Sequence, residues 1–162
     1  MLQLVSGLNM QRYTPRIYVV SQDDHLSAAK AREFEHSLGS MYGRDYLIRH
    51  ILRARQVGQP WLTTPWSVLQ CMLSAVRIVL GDRPDVLICN GPGSCVPLCV
   101  LAYIPRIFGL AYTRLLYVES FARTHSLSLS GRLLIRFVDR FIVQWPSLAL
   151  KYRRAENAGI LV

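Results

Sequence analysis

From Ile17 to Arg154, short apolar runs alternate with segments whose apolar positions recur every three or four residues. Continuous runs of this length predict strands, and the longer period predicts helices. The strand runs are Ile17–Val20, Tyr46–Leu52, Val86–Cys89, Arg114–Glu119 and Arg140–Gln144, the last strand expected. Leu2, Leu4, Val5 and Leu8 read as the end of a helix, closed near Gly7 and Asn9. Ser27 reads as the cap of a helix rich in good helix formers, SAAKAREFEHS. Thr64 as N-cap and Pro65 at the first turn open a long helix whose Leu69, Met72, Leu73, Val76, Val79 and Leu80 share a face, with Gly81 as its stop. A further helix spans Ser94 to about Phe108, frayed by Pro105 and Gly109. Ser128 or Ser130 caps the next, and Pro146–Arg154 reads as a short basic helix.

This rhythm predicts an α/β domain, doubly wound around a mostly parallel, Rossmann-like sheet. One domain over residues 1–154 and a carboxyl-terminal tail, 155–162, follow from it. Such sheets bind ligands beyond the carboxyl ends of their strands. Those ends carry Ser21-Gln22-Asp23-Asp24-His25, Asn90-Gly91-Pro92-Gly93-Ser94, Glu119-Ser120 and Gln144-Trp145-Pro146, which form one candidate rim.

The 162 residues suffice for one real core, and 51% hydrophobic content excludes a disordered chain. A net charge of +9 admits nucleic acid, an anionic membrane or phosphorylated ligands as partners. The arginines are scattered and lack the aromatic interleaving of a stacking platform, so no nucleic-acid partner is expected. Cys71, Cys89, Cys95 and Cys99 have no second ligand pair for zinc and read as reduced core thiols of a cytosol-facing domain. The opening MLQLVSGLNMQR lacks the basic start and long apolar core of a signal peptide. The longest apolar run, Cys95–Ile104, is too short to span a bilayer.

The most informative stretch is PDVLICNGPGSCVPLC, residues 84–99. A strand, a tight glycine turn and a helix start would aim backbone N–H groups and the positive end of a helix dipole at one point, as phosphate binding requires. Gly91 and Gly93 are expected to supply positive φ and close ligand approach. The same pattern also joins strand to helix for steric reasons alone.

These residues, followed by LLYVESFARTHSLSLSGRLL and DRFIVQWPSL and preceded by YVVSQDDHLSAAKAREFE, resemble the asparagine-linked glycosylation protein 14 family over nearly the whole chain. That family is similar to the amino-terminal half of MurG-like GT-B glycosyltransferases. The resemblance implies a non-catalytic subunit of the transferase that adds the second N-acetylglucosamine to N-acetylglucosaminyl-diphospho-dolichol. It implies a place on the cytosolic face of the endoplasmic reticulum membrane and a small catalytic partner that holds the UDP-N-acetylglucosamine donor; no cofactor is implied. Asn90, Gly91, Pro92, Gly93 and Ser94 match the family's second glycine-rich loop, which implies a cradle for the acceptor's diphosphate or its first sugar. Glu119 matches the YVES glutamate, with three readings: contact to the acceptor sugar, organisation of the loop, or general base. Ser120 adjoins it, and Arg123 could pair with diphosphate. His125 reads as a surface residue. Gly159, Ile160, Leu161 and Val162 match the carboxyl end that docks on the partner.

Family members begin with a membrane span, a first strand and a glycine-rich loop ending in Gly-His-Thr. Met1 aligns after that loop. Loss of a central first strand is expected to leave a gap between its neighbours, or to make them close up. Arg55, Trp61, Trp66 and the basic carboxyl-terminal helices are the expected membrane contacts. The readings that compete with the family one are a self-sufficient nucleotide-dependent enzyme and an inactive truncated isoform.

Overall fold

A computed structural model describes residues 2–54, 60–91 and 93–159, apart from the side chains of Gln3 and Trp61. It divides into two compact units, Met1–Leu52 and Arg53–Val162.

The first unit holds α1 (Leu2–Ser6), β1 (Arg16–Ser21), α2 (His25–Ser37) and β2 (Tyr46–Ile51). β1 and β2 pair in parallel, with Ile17 opposite Leu47 and Val19 opposite Arg49. The N-cap of α2 is Asp24, not Ser27. The Asp24 carboxylate accepts the Ser27 N–H and hydroxyl, because the cap's side chain must reach two or three residues into the first turn. Ala28, Ala31 and Glu35 share the buried face of α2, and Ala28 and Ala31 pack with Tyr46 and Ile48. β1 is half-buried along its whole length instead of fully covered.

Glu35 is wholly buried. Arg16 Nε and Nη2 donate to its two oxygens at 2.7 and 2.6 Å, and the Tyr18 hydroxyl donates at 2.6 Å. Burial pushes this carboxyl up, but the bonds from Arg16, Tyr18 and Ser40 outweigh it, and the net shift is downward.

The second unit holds α3 (Thr64–Asp82), β3 (Val86–Asn90), α4 (Cys95–Ile107), β4 (Arg114–Val118), α5 (Leu129–Leu134), β5 (Arg140–Val143), α6 (Pro146–Lys151) and β6 (Ala155–Asn157). The last four strands form a parallel sheet in the order β3-β4-β5-β6. The strands are parallel as expected, and among the described residues they form two sheets, β1-β2 in the first unit and β3-β4-β5-β6 in the second. One correction concerns the tail. Ala155–Asn157 pair with Phe141–Val143 as an edge strand. Their polarity hid this, since an edge strand needs backbone partners on one side only and tolerates exposed polar side chains.

α3 is capped by Thr63, whose hydroxyl donates to the Pro60 carbonyl and makes no capping bond, and it ends at Arg83, whose φ of 41° stops the helix two residues beyond Gly81. Its core side presents Cys71, Ala75, Ile78 and Val79. The sheet core is Leu115, Tyr117, Phe141 and Val143, with Tyr117 and Phe141 stacked at 5.1 Å. All four cysteines are buried free thiols. Cys89 on β3 and Cys99 on α4 approach to 3.6 Å between sulfurs, so helical spacing turns Cys95 and Cys99 inward. Burial pushes the Cys71 thiol up to about 11, consistent with inert packing.

Candidate functional site at the strand ends of the second unit

β3, β4 and β5 run parallel, so their carboxyl ends open on one side. Asn90 ends β3, Glu119 and Ser120 follow β4, and Gln144 and Trp145 follow β5. Gly91 turns the chain with φ of +74°, and a Cβ placed there would lie 3.8 Å from Ser120 Cβ. The glycine turn and the Glu119 segment are therefore neighbours. Gly93 has no left-handed backbone, so only the first glycine is needed for its φ. Gly93 is exposed and Ser94 half-buried, and the Ser94 hydroxyl makes no cap bond to α4. Pro92 lies outside the described residues. The first turn of α4 starts directly after this turn, but the Val96 N–H is taken by the Gly93 carbonyl at 3.2 Å and Pro97 has no N–H, so this helix start offers fewer donors than the strand-turn-helix pattern leads one to expect.

Glu119 is 1% exposed. Its Oε1 accepts the Ser120 N–H at 2.9 Å, and its Oε2 accepts the Ser128 N–H at 3.0 Å and the Ser128 hydroxyl at 3.1 Å. Ser128 in turn caps α5 by accepting the Gly131 N–H at 2.9 Å, which decides between the two serines expected as caps. Gln144 Nε2 donates to the Glu119 carbonyl at 3.3 Å. The carboxylate thus faces backbone and serine donors, with no cation among its hydrogen-bond partners.

Arg123 and His125 are exposed on the loop that follows. Of the residues that grip this loop, sequence reasoning placed Trp145 at the rim and missed Ser147 and Lys151. The Trp145 indole N–H donates to the Phe121 carbonyl at 2.8 Å, Ser147 Oγ to the Thr124 carbonyl at 2.9 Å, and Lys151 Nζ to the His125 carbonyl at 3.3 Å. It also missed Gly131, where a Cβ would collide with Glu119 Oε2. The string SLSG, residues 128–131 with Ser128 as cap and the glycine three residues on, was the available signal.

Gly159, at φ of +74°, is exposed and donates its N–H to Asn157 Oδ1 at 2.8 Å. Ile160, Leu161 and Val162 lie outside the described residues. Ser21–His25 belong to the first unit. Among the described residues no group of three or more metal-ligating side chains converges. No described helix is long and apolar enough to cross a membrane.

Comparison with known proteins fits this arrangement. The fold is similar to that of Acinetobacter baumannii MurG, with a TM-score of 0.51 at 13% identity, over 89% of this chain and 44% of that one. The UDP-N-acetylglucosamine transferase subunit alg14 of Schizosaccharomyces pombe is 45% identical over 164 residues, 99% of this chain and 76% of its own length. The corresponding Yarrowia lipolytica subunit is 44% identical over 100% of this chain and 74% of its own length, and the Homo sapiens subunit 39% over 99% and 76%. The family model described as "Oligosaccharide biosynthesis protein Alg14 like" matches residues 1–161, and with relatives this similar the chain belongs to the Alg14 family.

Proposed function

We propose that this chain is the acceptor-side, non-catalytic subunit of a UDP-N-acetylglucosamine transferase. It helps add the second N-acetylglucosamine to N-acetylglucosaminyl-diphospho-dolichol at the cytosolic face of the endoplasmic reticulum. The observation that carries the reading is 39–45% identity, over 99% of the chain, to proteins named as subunits of that transferase. Asn90, Gly91, Pro92, Gly93 and Ser94 cradle the acceptor diphosphate, with Ser120 and Arg123 beside them. The Gly91 turn supports this role, because it lies beside Ser120 at the carboxyl ends of parallel strands, where such sheets bind ligands. A separate catalytic subunit brings the UDP-sugar and engages Gly159, Ile160, Leu161 and Val162.

Membrane contact is part of the same reading. Trp66, Leu69 and Leu73 are exposed at helical spacing along the start of α3, Leu62 is exposed in the turn just before it, and the chain carries +9. An apolar stripe on a cationic protein suits an anionic bilayer surface.

Reconstitution tests the proposal. Co-expressed with a small UDP-sugar-binding subunit, the chain should co-purify with it and support transfer to a GlcNAc-diphospho-lipid acceptor, and deletion of residues 160–162 should abolish both. Transfer by the chain alone, or co-purification that survives the deletion, overturns it. In flotation with anionic vesicles the chain should rise with the lipid at low salt and less so at high salt.

A further inference from the structure

The segment from Ser120 to Ser128 has no helix or strand, yet its backbone is anchored on two sides. Glu119 takes its N–H groups at both ends, at Ser120 and Ser128. Trp145, Ser147 and Lys151 take its carbonyls at Phe121, Thr124 and His125. The Arg123 N–H closes a turn onto the Ser120 carbonyl at 3.0 Å, and Leu127, 2% exposed, plugs the loop into the core. What faces solvent is an aromatic ring, a guanidinium and an imidazole, from Phe121, Arg123 and His125. Phe121 is 45% exposed and its ring rests on that of Trp145 at 5.1 Å.

A loop whose main chain is tied at both ends and along its length, with its functional side chains outward, is preorganised, so a ligand need not order it. We infer that Ser120–Ser128 is a rigid contact element for the phosphorylated sugar end of the acceptor, and that Glu119 is a positioning residue that holds it, with Gly131 leaving room for the carboxylate. The inference rests on the acceptor-side reading above. Arg123 offers a fork to diphosphate oxygens, and the Phe121 ring, backed by Trp145, offers an apolar face to a pyranose. Glu119 has both oxygens committed to Ser120 and Ser128 and is closed off from solvent, so it shapes the loop and does not receive the acceptor's proton.

Gly131 separates this from the general-base reading, because it lies behind the carboxylate, on the helix that Ser128 caps. The experiment uses the complex with its catalytic partner, a short-chain GlcNAc-diphospho-lipid as acceptor, and hydrogen exchange of the amides in 120–131. Arg123→Ala and Phe121→Ala should each raise the acceptor KM about tenfold, the loss of one charged or stacking contact, with donor KM unchanged. Gly131→Ala should produce the same rise in acceptor KM and speed exchange at Ser120 and Ser128. Ser128→Ala, which removes the hydroxyl link without adding bulk, is the second variant if Gly131→Ala fails to fold, and should do the same more weakly. Glu119→Gln should raise acceptor KM more than it lowers kcat. Faster exchange in Gly131→Ala or Ser128→Ala with acceptor KM unchanged overturns the inference, as does a Glu119→Gln enzyme that loses kcat alone. Absence of transfer by the wild-type complex instead overturns the acceptor-side reading itself.

Discussion

Each unit buries one carboxylate, and the two are satisfied by opposite means. Glu35 meets a guanidinium and a phenol, and it ties β1 to α2. Glu119 meets two backbone N–H groups and a serine hydroxyl, and it ties the end of β4 to the cap of α5. A buried ion pair repays desolvation only if both partners stay, so the Glu35 site is built for cohesion. Backbone donors are fixed by the fold and cannot leave, so the Glu119 site sets the course of a loop. The first arrangement carries no exposed chemistry. The second turns Phe121, Arg123 and His125 outward on the loop that starts at Ser120, the neighbour of the Gly91 turn.

Breaking the ion pair should give the largest effect. Arg16→Met leaves Glu35 charged and buried, and urea denaturation should show a loss of about 3–5 kcal/mol from the first unit. Acid acts on the same site. Glu35 titrates lower in the folded than in the unfolded chain. Its contribution is therefore complete above about pH 4.5 and is lost as pH falls through the folded value. Circular dichroism should follow this loss in the wild type and find it missing in Glu35→Gln.

Overfilling the second site comes next. Gly131→Ala should cost about 1–3 kcal/mol, since Phe141 and Ser128 also lie 3.2 Å from the added methyl. Ser128→Ala removes a cap and should cost about 1 kcal/mol, and Asp24→Ala the same in the first unit. A thermal melt ranks these three. The smallest effect belongs to the surface pair of Arg140 and Glu156, both half-exposed. Arg140→Ala should cost well under about 1 kcal/mol and less still in high salt. If that pair proved worth as much as Arg16 and Glu35, burial would not be what separates them.

Much of the secondary structure was legible because it rests on local periodicity. The five expected strands are present, and the helices differ mainly at their caps. Those shifts, Asp24 for Ser27 and Thr63 for Thr64, arise because several residues near a helix start could each cap it and the path of the chain selects one. β6 was not legible, since Ala-Glu-Asn carries no apolar alternation and becomes a strand only because β5 offers it an edge.

At the rim, the residue types at the strand ends were readable, since turns after parallel strands advertise themselves through glycine and polar residues. That Glu119 points into the protein and not out to solvent at the rim was not readable. A glutamate at a strand end is compatible with either direction.

The sequence by itself determined the order of strands and helices, the parallel α/β class, the position of the glycine turn and the inward fate of four thiols. Each follows from side-chain patterning within a few residues. Only the tertiary structure decided that the described strands fall into a two-stranded and a four-stranded sheet, that Ala155–Asn157 complete an edge, and that Glu119, Ser128 and Gly131 form one device. Those outcomes depend on hydrogen-bond partners brought together by chain folding, and the free energy of such a bond is set by where both partners end up, which no local pattern records.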